Sequence, residues 1–195
     1  MKKRIYLCCL FFVLFSNMNL KAQNPFAHSR QMPFKVTIFA ETIGLTNLSR
    51  FFKKSGVGIK AGTEFYYSNG SRQQFFQTLN VGVYRHKNYA SAFFLSSEVG
   101  YRHFFGRVFA DATLGGGVQF SNTDLPTYRP SGEGYDKTSG RLIRFMPVIG
   151  LGTGYHFNKS AVFARYELMG EMPFRYKGIP VLPHQSFNLG TQFRF

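Results

Sequence analysis

The sequence predicts an all-β protein, an eight-stranded antiparallel up-and-down transmembrane β-barrel preceded by a cleaved signal peptide. Three observations predict this fold: an apolar N-terminal leader, alternation of apolar and polar residues along the rest of the chain, and a rhythm of long and short connections. The length of 195 residues suits one domain. The charged fraction of 17% is low for a soluble domain, in which about a quarter of residues are charged.

The first 22 residues have the organisation of a signal peptide. Bases at positions 2–4 precede an uninterrupted apolar run, 5–15, and residues 20–22 form a small-residue cleavage site ending at Ala22. The run is too short for a spanning helix, which needs about 20 residues; a retained anchor is the alternative. Both cysteines, Cys8 and Cys9, lie in this leader, so the mature chain needs no disulfides.

We therefore divide the chain into a signal peptide (1–22), a periplasmic N-terminal segment (23–32) and the barrel (33–195). The net charge of +15 at first suggests nucleic acid, an anionic lipid surface or an acidic substrate as the partner. Export makes nucleic acid an improbable partner. Removing the four bases of the leader from the total of 24 still leaves an excess of +11, so the positive charge belongs to the mature protein.

Eight segments alternate with a period of two, which is typical of strands with one apolar face. Most exceed the usual soluble strand of about 5–6 residues and match the roughly 9–11 that a tilted membrane strand requires. The predicted strands are 33–42, 55–68, 73–85, 88–103, 107–121, 141–157, 160–171 and 185–195.

Away from the strand ends, the apolar phase of these strands carries no charge, but alternation alone does not say which phase faces inward. A soluble lipocalin-type barrel would bury the apolar phase. The interior of an eight-stranded barrel is just wide enough for side chains to fill, and it cannot hold this many Phe, Tyr, Leu and Ile residues. We therefore predict that the apolar phase faces lipid and that the polar, glycine-rich phase faces the lumen.

Charged residues of the polar phase define a candidate lumenal network of six bases and five acids. We interpret it as a set of salt bridges that fills the barrel, because unpaired buried charges are costly. A narrow ion path and a small-ligand pocket are the alternatives. The members are Lys35, Glu41, Lys60, Glu64, Glu98, Arg102, Asp111, Arg144, Arg165, Glu167 and Arg194.

The connections predict the orientation. Residues 43–54, 122–140 and 172–184 form long connections, whereas 69–72, 104–106 and 158–159 are tight turns; only 85–88 breaks the rhythm. Outer-membrane barrels have short periplasmic turns and longer extracellular loops, which places both termini in the periplasm. We expect residues 122–140 to form an exposed loop that suits an extracellular partner.

Basic residues in the outer connections define a second candidate site, in which aromatic neighbours suit a membrane interface. Such bases would face the phosphates of lipopolysaccharide, and general solvated loop charge is the alternative interpretation. The residues are Arg50, Lys53, Lys54, Arg85, Lys87, Arg175 and Lys177.

The last strand has apolar residues at alternate positions, Phe187, Leu189, Phe193 and Phe195, with Thr191 as a mild departure. With the even strand count, this ending resembles the small eight-stranded outer-membrane barrels, a group that includes OmpX, the transmembrane domain of OmpA and PagP. The resemblance covers nearly the whole mature chain. It implies a bacterial outer-membrane location and recognition of the terminal strand by the barrel-assembly machinery, but it carries no function across.

A catalytic alternative rests on His184 and Ser186, which resemble the His-x-Ser element of lipid A deacylases of the PagL type. Those enzymes also use a Glu, and Glu41 would substitute for it only if barrel closure brought the first and last strands together. No His or Cys spacing indicates a metal site, and no glycine-rich loop indicates a nucleotide cofactor, so we expect neither.

From the sequence we predict a monomeric, non-enzymatic barrel whose partners are outer-membrane lipid, lipopolysaccharide and the assembly machinery. The hypothesised role is envelope structure or contact with lipopolysaccharide or an extracellular partner. A lipid A-modifying deacylase or acyltransferase and a narrow channel remain the alternative functions.

Overall fold

The computed structural model describes residues 32–44, 55–86, 90–123, 127–131, 134–138, 141–172 and 181–194. Within them the chain forms ten strands: β1 (Phe34–Ile43), β2 (Gly56–Asn69), β3 (Gln73–His86), β4 (Ala90–Phe105), β5 (Val108–Thr123), β6 (Thr127–Ser131), β7 (Gly134–Thr138), β8 (Arg141–His156), β9 (Ser160–Glu171) and β10 (Leu182–Phe193).

Eight of these strands close into an antiparallel barrel in the order β1-β10-β9-β8-β5-β4-β3-β2. Closure joins the first and last strands, with Phe34 opposite Phe193 and Ile43 opposite His184. A closed barrel leaves no strand edge unpaired, which is the condition for crossing lipid with strands. The predicted eight-stranded antiparallel barrel is confirmed, and its predicted strand limits differ from the observed ones by three residues or fewer.

The outer face of the barrel is apolar. Ile38, Leu114 and Leu151 are each more than 60% exposed, and every one of the eight barrel strands exposes large apolar side chains on this face. The inward phase carries the buried charges, such as Glu64 and Arg102. The predicted assignment of the two phases is therefore confirmed, because only lipid can favourably cover so much apolar surface.

The lumen also contains aromatic rings that sequence alternation did not reveal. Five inward phenylalanines each lie opposite a glycine on a neighbouring strand: Phe39 and Gly58, Phe76 and Gly100, Phe94 and Gly82, Phe109 and Gly154, Phe163 and Gly190. A Cβ added at any of these glycines would lie 2.3–2.5 Å from the facing ring. The inward glycines thus make room for rings that pack across the narrow lumen.

Two expectations about connections are corrected. Residues 122–140 are not simply an exposed loop: β5 continues to Thr123, and β6 and β7 pair as a separate two-stranded sheet with Thr127 opposite Thr138. These strands have five residues each, and Pro130 lies within the first, which explains why the two-residue period did not predict them. Arg85 lies in β3 rather than in a connection, because that strand extends to His86.

The barrel has two distinct ends. Turns between β2 and β3, β4 and β5, and β8 and β9 define the short-turn end, and Gly106 occupies the second of these turns with a φ of 68°. A positive φ of this size favours glycine because it lacks a Cβ. We call the opposite end, which includes the connections between β1 and β2 and between β9 and β10, the loop end.

Candidate functional site

Arg102 lies at the centre of the lumenal charges. Its Nη2 is 2.9 Å from Glu64 Oε1 and 3.1 Å from Asp111 Oδ2. The rings of Phe76 and Phe109 cover the guanidinium, with centroids 4.5 and 4.7 Å from its carbon. A planar guanidinium can bond two carboxylates in its plane and stack on aromatic rings above and below it. Arg102 is thus a buried charge that has two carboxylate partners and two aromatic rings against its guanidinium.

Arg165, on β9, extends this network to further carboxylates. Its Nη2 lies 3.0 Å from Asp111 Oδ2, and its Nη1 lies 3.9 Å from Glu98 Oε2 and 4.0 Å from Glu167 Oε1. Asp111 therefore accepts from two guanidinium groups. Sequence alternation placed Glu98 and Arg102 on one face of β4, but Glu98 faces Arg165 while Arg102 bonds Glu64 instead.

Two lysines complete the group. Lys60 Nζ lies 2.7 Å from Glu167 Oε1, and Lys35 Nζ lies 3.1 Å from Glu64 Oε1. The resulting central network comprises four bases and four acids: Lys35, Lys60, Arg102, Arg165, Glu64, Glu98, Asp111 and Glu167. Equal numbers of opposite charges make this buried set formally neutral, which offsets much of the desolvation penalty.

Uncharged polar side chains occupy further lone pairs of the buried carboxylates. Tyr66 donates its hydroxyl hydrogen to Glu64 over 2.8 Å, and Asn80 donates to Glu98 over 3.1 Å. Ser186 Oγ donates to Glu167 Oε2 over 3.4 Å and accepts from Asn188 over 3.0 Å. Hydrogen bonds to charged acceptors favour a single arrangement of the network.

A second cluster lies nearer the loop end. His184 Nδ1 is 2.5 Å from Glu41 Oε1, and His184 Nε2 is 3.3 Å from Glu171 Oε1. Arg144 Nη1 also contacts Glu171, and Gln119 donates to the same carboxylate. Each ring nitrogen of His184 thus faces a carboxylate, an arrangement that a charged imidazolium satisfies.

Barrel closure brings Glu41 to His184, which was the condition for the catalytic alternative. However, Ser186 contacts Glu167 and Asn188, while the ring nitrogens of His184 face Glu41 and Glu171. A nucleophilic serine needs its base within hydrogen-bond reach. Ser186 is fully buried and His184 is only 3% exposed, so this geometry does not form a nucleophile–base pair open to a substrate.

Glu171 is the main functional residue that sequence reasoning missed. It continues the inward phase of Arg165 and Glu167 on β9, and it is 2% exposed. The signal was available, because extending the alternation to the last residue of the predicted strand places Glu171 in the lumen. The inward aromatics had no such signal, since apolar residues in the polar phase of a strand are ambiguous.

The other predicted site residues lie towards the ends and the outside of the barrel. Arg194 is half-buried at the short-turn end, where its guanidinium lies over the Tyr66 ring. Phe187, Leu189 and Phe193 of the predicted assembly signal project outward from β10. Arg85 is exposed. Arg50, Lys53, Lys54, Lys87, Arg175, Lys177 and Phe195 lie outside the described residues, as do the predicted signal peptide and nearly all of the N-terminal segment.

Neither a spanning helix nor a metal-binding cluster occurs in the described part of the chain. No helix there is long and apolar enough to span a bilayer. No group of three or more His, Cys, Asp or Glu side chains there could hold a metal ion.

Comparison with known proteins gives matches in structure only. No family model matches the sequence, and no curated protein matches it. Neisserial surface protein A superposes with a TM-score of 0.56 at 9% identity, covering 84% of this chain and 96% of that one. Ail, the attachment invasion locus protein of Yersinia pestis, gives 0.50 at 11%, covering 85% and 97%. The outer membrane enzyme PagL gives 0.49 at 11%, covering 83% and 99%.

The likenesses to Neisserial surface protein A and to Ail show the fold. The chain has the architecture of the small eight-stranded outer-membrane barrels, as its last strand and strand count predicted. The lipid-facing exterior and this architecture together confirm the predicted location in the bacterial outer membrane.

Proposed function

We propose that this chain is a non-enzymatic outer-membrane barrel that contributes to envelope structure and contacts lipopolysaccharide or an extracellular partner at its loop end. The observation that carries this proposal is the central network, which joins Lys60, Arg102 and Arg165 to carboxylates of other strands inside the lumen. A barrel filled in this way is a rigid scaffold for whatever its connections display.

The same network disfavours the channel alternative. A conducting path needs water and at least one mobile ion beside the wall charges. Here the charges are buried and bonded to one another, and Glu64 and Glu98 have at most 2% exposure. The balance of four bases and four acids would also favour neither anions nor cations.

One observation favours the enzyme alternative, namely the contact between His184 and Glu41. Two observations weigh against it: the hydroxyl of Ser186 contacts Glu167 rather than His184, and both residues are buried. A lipid A substrate would have to reach a hydroxyl that has no exposed surface. We therefore retain the non-enzymatic role.

At the loop end, we propose that Arg85 and the basic residues at positions 50, 53, 54, 87, 175 and 177 bind lipopolysaccharide phosphates. Arg85 is exposed near the end of β3, and a guanidinium suits bidentate contact with phosphate. We further propose that the barrel is monomeric, since lipid can cover its outer face, and that the assembly machinery recognises the outward Phe187, Leu189 and Phe193.

Two measurements test the proposed role. Lipid A from cells with and without the gene is compared by mass spectrometry, and the purified barrel is reconstituted in planar bilayers. We expect an unchanged lipid A profile and no steps of conductance. A mass change that disappears with Ser186→Ala would establish the enzyme, and conductance that changes with Arg165→Gln would establish the channel.

The proposed lipopolysaccharide contact needs a separate readout. Vesicles with and without lipopolysaccharide are compared for the thermal stability of the barrel, and Arg85→Gln is combined with Lys87→Gln. We expect lipopolysaccharide to stabilise the parent barrel and to stabilise the double variant less. Equal stabilisation of both proteins would mean that these bases do not contact the lipid.

A further inference from the structure

A cavity of about 400 Å³ opens at the short-turn end of the barrel. This volume lies within the range of about 300–1,000 Å³ typical of small-ligand sites. Its lining combines three basic side chains, Arg107, His156 and Arg194, with small polar groups such as Asn158 and Ser71. The cavity lies at the end of the barrel opposite the loop end, so a ligand bound in it is independent of the proposed function.

The turns around this cavity repeat one arrangement. In each turn a basic residue offers its backbone carbonyl oxygen to an amide of a neighbouring strand end. Arg72 O accepts from Phe104 N over 2.8 Å, Arg107 O from His156 N over 2.7 Å, and Lys159 O from Arg194 N over 2.8 Å. Three exposed bases therefore occupy equivalent positions on a rim held by backbone hydrogen bonds.

In the described part of the chain, no acidic side chain forms an ion pair with the bases of this rim. The chain has nine acidic residues. Six are inward residues of the barrel strands, and each of them contacts a basic side chain inside the lumen. The other three, Asp124, Glu133 and Asp136, follow β5 and precede β8 in the sequence. The bases of the rim therefore keep their positive charge without a neighbouring side-chain carboxylate in the described part of the chain.

The positive charge also continues below the cavity. Gln74, which lines it, accepts from Arg102 Nη1 over 3.3 Å. Arg194 Nε is buried without a hydrogen-bond partner.

We propose that this cavity, the short-turn mouth, binds a phosphate group. Arg107 and Arg194 supply guanidinium donors for the oxyanion, and His156 with the amides of Asn158 and Asn69 supplies further hydrogen-bond capacity. Phosphate is the oxyanion whose charge and several oxygens match a site lined by more than one guanidinium. The group is either free phosphate or the headgroup of an anionic phospholipid, since the mouth opens where strands leave the bilayer.

Site-resolved NMR tests this proposal on the whole refolded barrel. The ¹⁵N-labelled protein, in an uncharged maltoside detergent, is titrated with inorganic phosphate and separately with short-chain phosphatidylglycerol, with short-chain phosphatidylcholine as the zwitterionic comparison. We expect saturable shifts of the amides of Gly70, Gly106 and Asn158. Saturation by inorganic phosphate identifies the free ion as sufficient, whereas saturation by phosphatidylglycerol alone identifies a lipid headgroup.

Matched variants separate a site from general attraction by a basic protein. Arg107→Gln and Arg194→Gln should each raise the Kd about tenfold or more, as expected for loss of a charge-assisted hydrogen bond. Lys137→Gln removes a positive charge from β7, in the connection between β5 and β8, and should leave the Kd unchanged. Arg107 is exposed, so its variant keeps the barrel fold even if Arg194→Gln does not.

Two results would overturn the proposal. The first is the absence of saturable shifts at the short-turn mouth with both inorganic phosphate and phosphatidylglycerol. The second is an equal loss of affinity in Lys137→Gln and Arg107→Gln, which would mean that net charge alone attracts the anion.

Discussion

Lys60 on β2 and Glu167 on β9 form an ion pair across the lumen, with Nζ 2.7 Å from Oε1 and 2.8 Å from Oε2. β1 and β10 lie between these strands in the barrel wall. The pair therefore joins parts of the wall that share no backbone hydrogen bonds. Both side chains are at least nine-tenths buried, so the attraction between the two charges has to replace the hydration that each of them loses.

Replacing one partner of this pair should be more harmful than replacing both. Lys60→Met leaves Glu167 buried without its closest cation, which we expect to cost about 3 kcal/mol of unfolding free energy. The double variant Lys60→Met/Glu167→Met should cost less than the sum of the single changes. Because the chain contains no Trp, urea unfolding in lipid vesicles is followed by far-UV circular dichroism. Additive effects would contradict a direct coupling of the two charges.

Arg102 should not tolerate lysine. A lysine ammonium cannot reproduce the planar contacts with Glu64, Asp111 and the two phenylalanine rings. We expect Arg102→Lys to lower the unfolding free energy by about 2 kcal/mol. The control Arg107→Lys, at an exposed turn, should change it by no more than about 0.5 kcal/mol. Similar values for both variants would argue against a specific role for the buried guanidinium.

Gly58→Ala should destabilise the barrel, because the added methyl group would overlap the ring of Phe39. Its Cβ would lie 2.3 Å from Phe39 Cζ and 2.7 Å from Tyr84 Cβ. Overpacking of this kind costs about 1–3 kcal/mol, and Phe39→Leu in the same chain should recover part of the loss. Gly134→Ala is the matched control, since nothing lies within 4 Å of its added Cβ. Thermal unfolding of the three variants in detergent measures the difference.

Removal of His184 should expose the repulsion between two carboxylates. His184→Leu leaves Glu41 without its close partner and leaves Glu171 with Arg144 and Gln119. We expect a loss of about 2–3 kcal/mol, most of which Glu41→Gln restores in the double variant. The lipid A profile should remain that of the parent protein. A catalytic role would instead appear as altered lipid A with little change in stability.

The fold was largely predictable because strand alternation is a local property. A period of two over ten or more residues specifies a strand and its two faces, and the volume of an eight-stranded interior then decides which face meets lipid. The hairpin of β6 and β7 was not predicted, because strands of five residues, the first of which contains Pro130, are too short to show this period. His184 lies inside β10, although the predicted strand began only at residue 185. The start was hard to recognise because Pro183 is unusual within a strand.

The sequence predicted which residues belong to the candidate site, but it did not predict which of them contact one another. Alternation alone placed the predicted lumenal charges other than Arg194 within the observed strands, whereas Glu171 needed the phase to be extended to the strand end. Which charges meet depends on the shear of the barrel, which staggers the strands and brings residues of distant segments to the same height along the barrel axis. Thus Arg102 meets Glu64 and Asp111, and not Glu98 on its own strand.

By itself, the sequence determined the strand count, the lipid-facing surface, the identity of most buried charges and the excess of positive charge. Only the tertiary structure decided that Lys60 meets Glu167 and that five inward glycines each accommodate a phenylalanine ring. It also decided that the bases of the short-turn end form no ion pair with an acidic side chain in the described part of the chain. The physical reason is that alternation is set by each residue and its chain neighbours. Contacts across the lumen depend instead on the register with which all eight strands close.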